Sequence, residues 1–304
     1  MAKKVAKIGG VLPVFQTPFH DDETIDWETL EKEIHWLFDR GAHGVVMALA
    51  SELLRLSGAE RDEMAAWVCR TVGDRGAVII SVGAESSYVA ERYALHAETS
   101  GASAVMAIPP IATGLSTTEL RCYYERLLKC INIPVIIQDA SGYVGKPIPL
   151  SLQAELMNEY GPHRVMFKPE ASPIGPRLSA LREATGGKAL IFEGSGGGAL
   201  FDSHHRGASG TMAGADLHEG IVALWDALEA GDDERALRIS LPVGAIVAFM
   251  TQLDAFLAVE KYLLVKQGLF QNTVVRGPVG YVLEEETRSE VDRFYDRVMN
   301  AIAE

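Results

Sequence analysis

The residues most able to do covalent chemistry are Lys168 and Glu170, in the run "VMFKPEA" at 165–171. Val165, Met166 and Phe167 follow the loop "YGPHR", and the apolar run is too short for a helix. As a strand its side chains alternate between faces, so Met166, Lys168 and Glu170 share one side. An amine held at the end of such a strand loses hydration, which disfavours its charged form, and a neutral amine can form a Schiff base with a ketone. The other lysines fall in termini, helices or loops. Two plainer readings stay open: Lys168 pairs with Glu170 and closes the mouth of the fold, or Glu170 pairs with Arg177 instead of carrying protons.

Whatever their role, these side chains need a frame. Eight short β-rich runs recur along the first two thirds of the chain, from "GVLPVFQT" through "HGVVMALA", "AVIISVGA", "SAVMAIPP", "PVIIQDAS", "VMFKPEA" and "ALIFEGS" to "GTMAG". Helical patterns separate them, such as "DWETLEKEIHWLFDRG", with Asp26 as N-cap and Gly41 as stop, and "SSYVAERYALHAETSG". Near-continuous apolar strands imply a parallel sheet covered by helices, and eight such units close an α/β (β/α)₈ TIM barrel. An open doubly wound sheet would offer a Gly-rich turn after its first strand, which "QTPFHDDET" is not. Beyond Gly231 strands stop and helices take over. The division expected is therefore a catalytic barrel over 1–231 and a C-terminal helical extension over 232–304. In such a barrel the site lies at the C-terminal ends of the strands, where Lys168 falls.

Composition narrows the class. Lys and Arg total 28 against 41 Asp and Glu, a net charge of −13, which argues against nucleic-acid or membrane-surface partners. The start "MAKKVAKIGGVLPVF" has only a short apolar stretch, broken by Pro13, and reads as neither signal peptide nor membrane span. Three sparse cysteines without a CxxC pair suggest reduced thiols and a cytoplasmic protein; Cys122 and Cys130 repeat on one helix face, as core residues do. His204 and His205 are adjacent, without the spacing of a metal site, so neither metal nor cofactor is expected.

Taken together, "GVLPVFQTPF", "FKPEAS", "RGASGTMAG" and "VRGPVG" resemble the dihydrodipicolinate synthase and N-acetylneuraminate lyase family over nearly the whole chain. The resemblance implies a (β/α)₈ class I aldolase, usually tetrameric, in which Lys168 forms a Schiff base with pyruvate or another small 2-keto acid. It also implies that Thr17 of "TPF", Gly194 of "EGSGGG" and Met212 of "GTMAG" help to line the substrate pocket.

The departures from the family pattern matter as much. After the second strand, the family's Gly-Thr-Thr-Gly-Glu is replaced by "ALASELLRLS", leaving Ser51 and Glu52 in the substrate pocket, where Ser51 offers a hydroxyl and N–H groups to a carboxylate unless it is only a helix N-cap. After the fifth strand Gln138 stands in place of the proton-shuttling tyrosine, and Tyr143 where the synthases have an arginine. An amide cannot replace a phenol in acid–base work, though it can position water or a hydroxyl. The variants look like the branch that dehydrates or cleaves 2-keto-3-deoxy sugar acids. Synthase activity on pyruvate and aspartate semialdehyde, and a keto-acid-binding barrel without turnover, are the alternatives.

Overall fold

A computed structural model describes residues 7–304. Its strands are β1 (Gly10–Val11), β2 (Gly44–Met47), β3 (Ala77–Ser81), β4 (Ala104–Ala107), β5 (Val135–Asp139), β6 (Val165–Pro169), β7 (Phe192–Glu193) and β8 (Gly210–Thr211). All pair in parallel, as β2-β3-β4-β5-β6 and β1-β8-β7. Single bridges Val14↔Val46 and Phe167↔Ile191 join the two sheets and close the barrel. Each of the eight expected runs contains one strand.

Alternation along the strands separates two cores. Val46, Ile79, Met106, Ile136 and Met166 point inward and pack together as the barrel interior. Val45, Val78, Val105, Val135, Phe167 and their like point outward beneath the helices. Helices α1 (Trp27–Asp39), α2 (Gly58–Val72), α3 (Ser87–Ser100), α4 (Thr117–Cys130), α5 (Leu150–Tyr160), α6 (Ile174–Ala184), α7 (Leu200–His205) and α8 (His218–Glu229) return the chain between and after strands. Asp26 caps α1 by accepting from the Thr29 N–H, and Gly41 follows it at a φ of 90°. On α4 the buried side chains are Leu120, Tyr123, Tyr124, Leu127 and Leu128. Cys122 is exposed and Cys130 only half-buried, so the expectation that they pack in the core is corrected: the tyrosines and leucines own that face.

The remaining helices are α9 (Asp233–Val247), α10 (Leu253–Lys266) and α11 (Glu285–Ala303). They share a hydrophobic cluster with α8 and with Val11 and Ala213 of the barrel. Two single 3₁₀ turns, Leu49–Ser51 and Leu53–Arg55, follow β2, and α10 packs against the first of them. That crossing carries α10 over the barrel mouth. No helix among the described residues is long and apolar enough to cross a membrane.

Candidate active site

The inward face of β6 runs Met166, then Lys168, with Glu170 just beyond the strand end. Met166 belongs to the apolar interior; Lys168 sits one layer above it, only 3% exposed. Its Nζ lies 3.1 Å from Glu170 Oε1, and the Glu170 side chain is equally buried. On β5, in register, Ile136 faces Met166 and Gln138 faces Lys168. Gln138 Nε2 donates to the other Glu170 oxygen, Oε2, at 2.6 Å. The lysine, carboxylate and amide thus form one chain of polar contacts across adjacent strands.

Glycine makes room for them. A Cβ at Gly194, just after β7, would stand 2.6 Å from Lys168 Cε and 2.7 Å from Glu170 Cγ, so no other residue fits without moving the pair. The loop after β7 is fixed by Glu193, which accepts from Ser195 N–H at 2.6 Å and from Thr211 Oγ1 at 2.7 Å. The Asp139 carboxylate similarly shapes the loop after β5, accepting from the Ser141 and Ile148 N–H groups. That loop turns Tyr143 back toward the barrel, where its phenol interacts with Glu170 and Gln138. Burial, together with the Glu170 charge, raises the tyrosine pKa well above its ordinary value and keeps the phenol protonated.

A cleft of about 440 Å³, part of it open to solvent, lies over these groups. It is lined by Lys168, Glu170, Gln138, Tyr143, Gly194, Gly196, Met212 and Gly214 from the barrel and by Ala48, Leu49 and Ala50 after β2. Leu253, Phe256 and Glu260 of α10 close one side. A few polar groups thus converge in a largely apolar shell, the make-up of a small-molecule site.

The family model for the dihydrodipicolinate synthetase family matches residues 7–296. The chain belongs to that family. Among relatives of the dihydrodipicolinate synthetase family, an L-2-keto-3-deoxyarabonate dehydratase from Azospirillum brasilense is 27% identical over 75% of this chain and 74% of its own length. A 4-hydroxy-tetrahydrodipicolinate synthase from Bartonella quintana is 27% identical over 93% of this chain and 95% of its own. The crystal structure of a dihydrodipicolinate synthase from Rhodopseudomonas palustris superposes with a TM-score of 0.87 at 25% identity, covering 98% of this chain and all of that one.

Of the residues singled out from sequence, Lys168, Glu170, Gln138, Gly194 and Met212 meet at the cleft. Thr17, Ser51 and Glu52, expected in the substrate pocket, are not among the residues that line the cleft, and their side chains make other bonds. Thr17 Oγ1 donates to the Ser51 carbonyl at 2.6 Å, and Ser51 Oγ donates to the Phe15 carbonyl at 2.6 Å while accepting from the Ala48 N–H. These hydroxyls tie the loop after β2 to the end of β1. Ser51 is no N-cap either; it ends the 3₁₀ turn Leu49–Ser51. Glu52, in the left-handed region at φ 58°, turns away to an ion pair with Lys261 of α10.

Three contributors escaped the sequence reading as site residues: Tyr143, Glu260 and the apolar pair Leu253 and Phe256. The helix "LDAFLAVEKYLLVK" did carry a signal. A helix apolar on nearly every side is buried, so the adjacent charges Glu260 and Lys261 had to be buried with it. His204 and His205, by contrast, contact Glu229 and Asp233 at the surface.

Proposed function

We propose that the protein is a lyase that forms a Schiff base between Lys168 and a 2-keto acid, with a 2-keto-3-deoxy sugar acid as substrate. The observation that carries this reading is the buried amine beside a cleft, 3.1 Å from a carboxylate able to take its proton. Once neutral, the amine adds to the substrate carbonyl and expels water. The resulting iminium draws electrons from the neighbouring carbon, so that a proton there can be removed or a carbon–carbon bond broken. Glu170 is in place to accept protons from Lys168 and from the substrate. Gln138 orients Glu170, and the protonated Tyr143 phenol supplies a donor where the sequence at first offered only an amide.

The substrate carboxylate needs donors other than the Thr17 and Ser51 hydroxyls. Backbone N–H groups at the start of the 3₁₀ turn, at Leu49 and Ala50 beside the cleft, are suited to it. Acceptor-poor apolar walls at Met212, Leu253 and Phe256 suit a short carbon chain. The dehydratase from Azospirillum brasilense supports the choice of a keto-deoxy acid. The same reading makes the enzyme cytoplasmic, which its sparse thiols support, and a homotetramer, which the family resemblance supports.

A second reading rests on the Bartonella quintana synthase, which aligns over more of the chain. In it the Lys168 adduct of pyruvate condenses with aspartate semialdehyde. Tyr143, standing where the synthases carry an arginine for the second carboxylate, weighs against it.

Borohydride reduction in the presence of pyruvate, followed by peptide mass spectrometry, tests the Schiff base. A reduced pyruvyl adduct on Lys168 is expected; a folded protein without one, at saturating pyruvate, would sink the reading. A coupled assay with pyruvate and aspartate semialdehyde then separates the two substrate choices.

A further inference from the structure

Besides Glu170, the cleft has a second carboxyl group that the scheme above leaves idle. Glu260 reaches the cleft from α10, outside the barrel, and is 2% exposed. One of its oxygens, Oε2, accepts from Gln16 Nε2. The other, Oε1, faces Gly214, where a Cβ would collide with it and would also stand 2.7 Å from Asp216 Oδ1. Two carboxyl groups therefore converge on one bare glycine, and the far oxygen of Asp216, Oδ2, is buried without a hydrogen-bond partner among the described residues. Like-charged carboxyls brought together in a dry site retain a proton between them.

We propose that Glu260 is the general acid of the site, with Asp216 as its proton-holding partner, and that the reaction they serve is elimination of water. This rests on the Schiff-base reading of Lys168. In the iminium, Glu170 takes a proton from C3; the C–H pair becomes the enamine double bond, and the iminium pair moves onto the Lys168 nitrogen. That pair then re-forms the iminium, the C2–C3 double-bond pair moves to make a C3–C4 double bond, the C4–O bond breaks with its electrons on oxygen, and the Glu260 proton joins the departing hydroxyl to make water. Glu170 ends protonated and Glu260 ionised, so no outside reagent is needed, and hydrolysis of the unsaturated iminium frees Lys168. Elimination requires a base and an acid at once, which two carboxyls entering from separate elements provide.

The electrostatics agree with that division. Burial raises the Glu260 pKa well above the carboxylate range, and the charges of Asp216 and Glu33 raise it further. Lys168 of β6 and Lys261 on the same helix oppose them. Asp216 is pushed up to about 7 by burial. Glu33 of α1, which accepts from the Gln16 N–H at 2.9 Å, is itself raised by burial.

The test uses the full chain with pyruvate as imine probe and 2-keto-3-deoxypentonate and 2-keto-3-deoxyhexonate as turnover probes. In Glu260→Gln, kcat for water elimination should fall by about a hundredfold or more, with adduct yield on Lys168 within about threefold of wild type. In Asp216→Asn, the alkaline limb of kcat should move down by about one pH unit, because the charge that holds the Glu260 proton is gone. The proposal is overturned if Glu260→Gln keeps its kcat, or if both variants lose the pyruvate adduct, which would make the pair structural. Wild type releasing pyruvate and an aldehyde, or trapping pyruvate while eliminating water from neither acid, would overturn it too. A wild type that never traps pyruvate fails the Schiff-base reading itself and is read separately from these outcomes.

Discussion

Two lysine–glutamate pairs are buried among the described residues, and they have opposite characters. Lys261 is 0% exposed and sealed: it contacts Glu52, donates to the Val274 carbonyl at 2.5 Å and lies 4.6 Å above the Phe19 ring. Every face of that ammonium is occupied, and the pair pins α10 to the turns after β2. Lys168 has one carboxylate contact at 3.1 Å, a glycine at its flank and open space above it. Burial is common to both. What makes one lysine a candidate nucleophile is an adjoining volume for an electrophile, with a carboxylate beside it to take its proton.

Exchanging the two lysines' fates gives the largest expected effect. Lys168→Ala should lower turnover by more than about 10⁴-fold, the scale of losing a covalent nucleophile, and cost less stability than a change at Lys261, because Glu170 keeps its bond from Gln138 and borders the cleft. Lys261→Met should do the reverse. Removing one partner of a buried pair strands Glu52 and costs about 3–5 kcal/mol of stability, measurable by urea unfolding, while the folded fraction still traps pyruvate. Loss of trapping in folded Lys261→Met, or full activity in Lys168→Ala, would erase the distinction.

Next in size is the glycine at the reactive pair. Gly194→Ala puts a methyl group 2.6 Å from Lys168 Cε, so the side chain must move out of its line with Glu170. A misplacement of that order should cost about a hundredfold in kcat/KM, with little change in stability. Unchanged kinetics would mean that the Lys168–Glu170 geometry is not what the reaction uses.

How much of this was readable in advance depended on whether the signal was local. Lys168 stood out because a charge ending an alternating apolar strand breaks the pattern that built the strand, and the eight-strand rhythm supplied the barrel around it. Gly194 and Met212 came with the resemblance. The bonds of Thr17 and Ser51 were not legible because the type of a hydroxyl says nothing of its partner: the carbonyls of Ser51 and Phe15 accept from them only once β1 and the turn after β2 are side by side. Tyr143 and Glu260 depend on how a loop folds back and how α10 crosses the mouth. Both are tertiary events, and only the unbroken apolar surround of Glu260 hinted at one of them.

Ser51 offers a smaller and sharper discrimination. Its hydroxyl bridges the Phe15 carbonyl and the Ala48 N–H, so Ser51→Ala should cost about 1–3 kcal/mol in unfolding free energy. If it acts only as this tie, KM changes by less than about threefold. A large rise in KM at unchanged stability would return Ser51 to the substrate.

The smallest expected effect concerns whether the sealed pair stabilises the fold at all. Burial raises the Glu52 pKa even with Lys261 beside it, and burial lowers that of Lys261 even with Glu52 beside it. Both shifts favour neutral forms, so the attraction does not repay the lost hydration. A raised carboxyl contributes stability at low pH that is lost as pH climbs through its folded value; a lowered lysine loses stability as pH falls below its unfolded value. Near neutral pH both charges are therefore held at a cost. The double variant Glu52→Gln with Lys261→Met removes both. Its stability should return to within about 1 kcal/mol of wild type, although the single lysine variant loses several times that. If the double variant is as unstable as Lys261→Met, the ion pair holds α10 over the barrel mouth by net attraction. In that case the contrast between the two pairs lies in strength as well as in access.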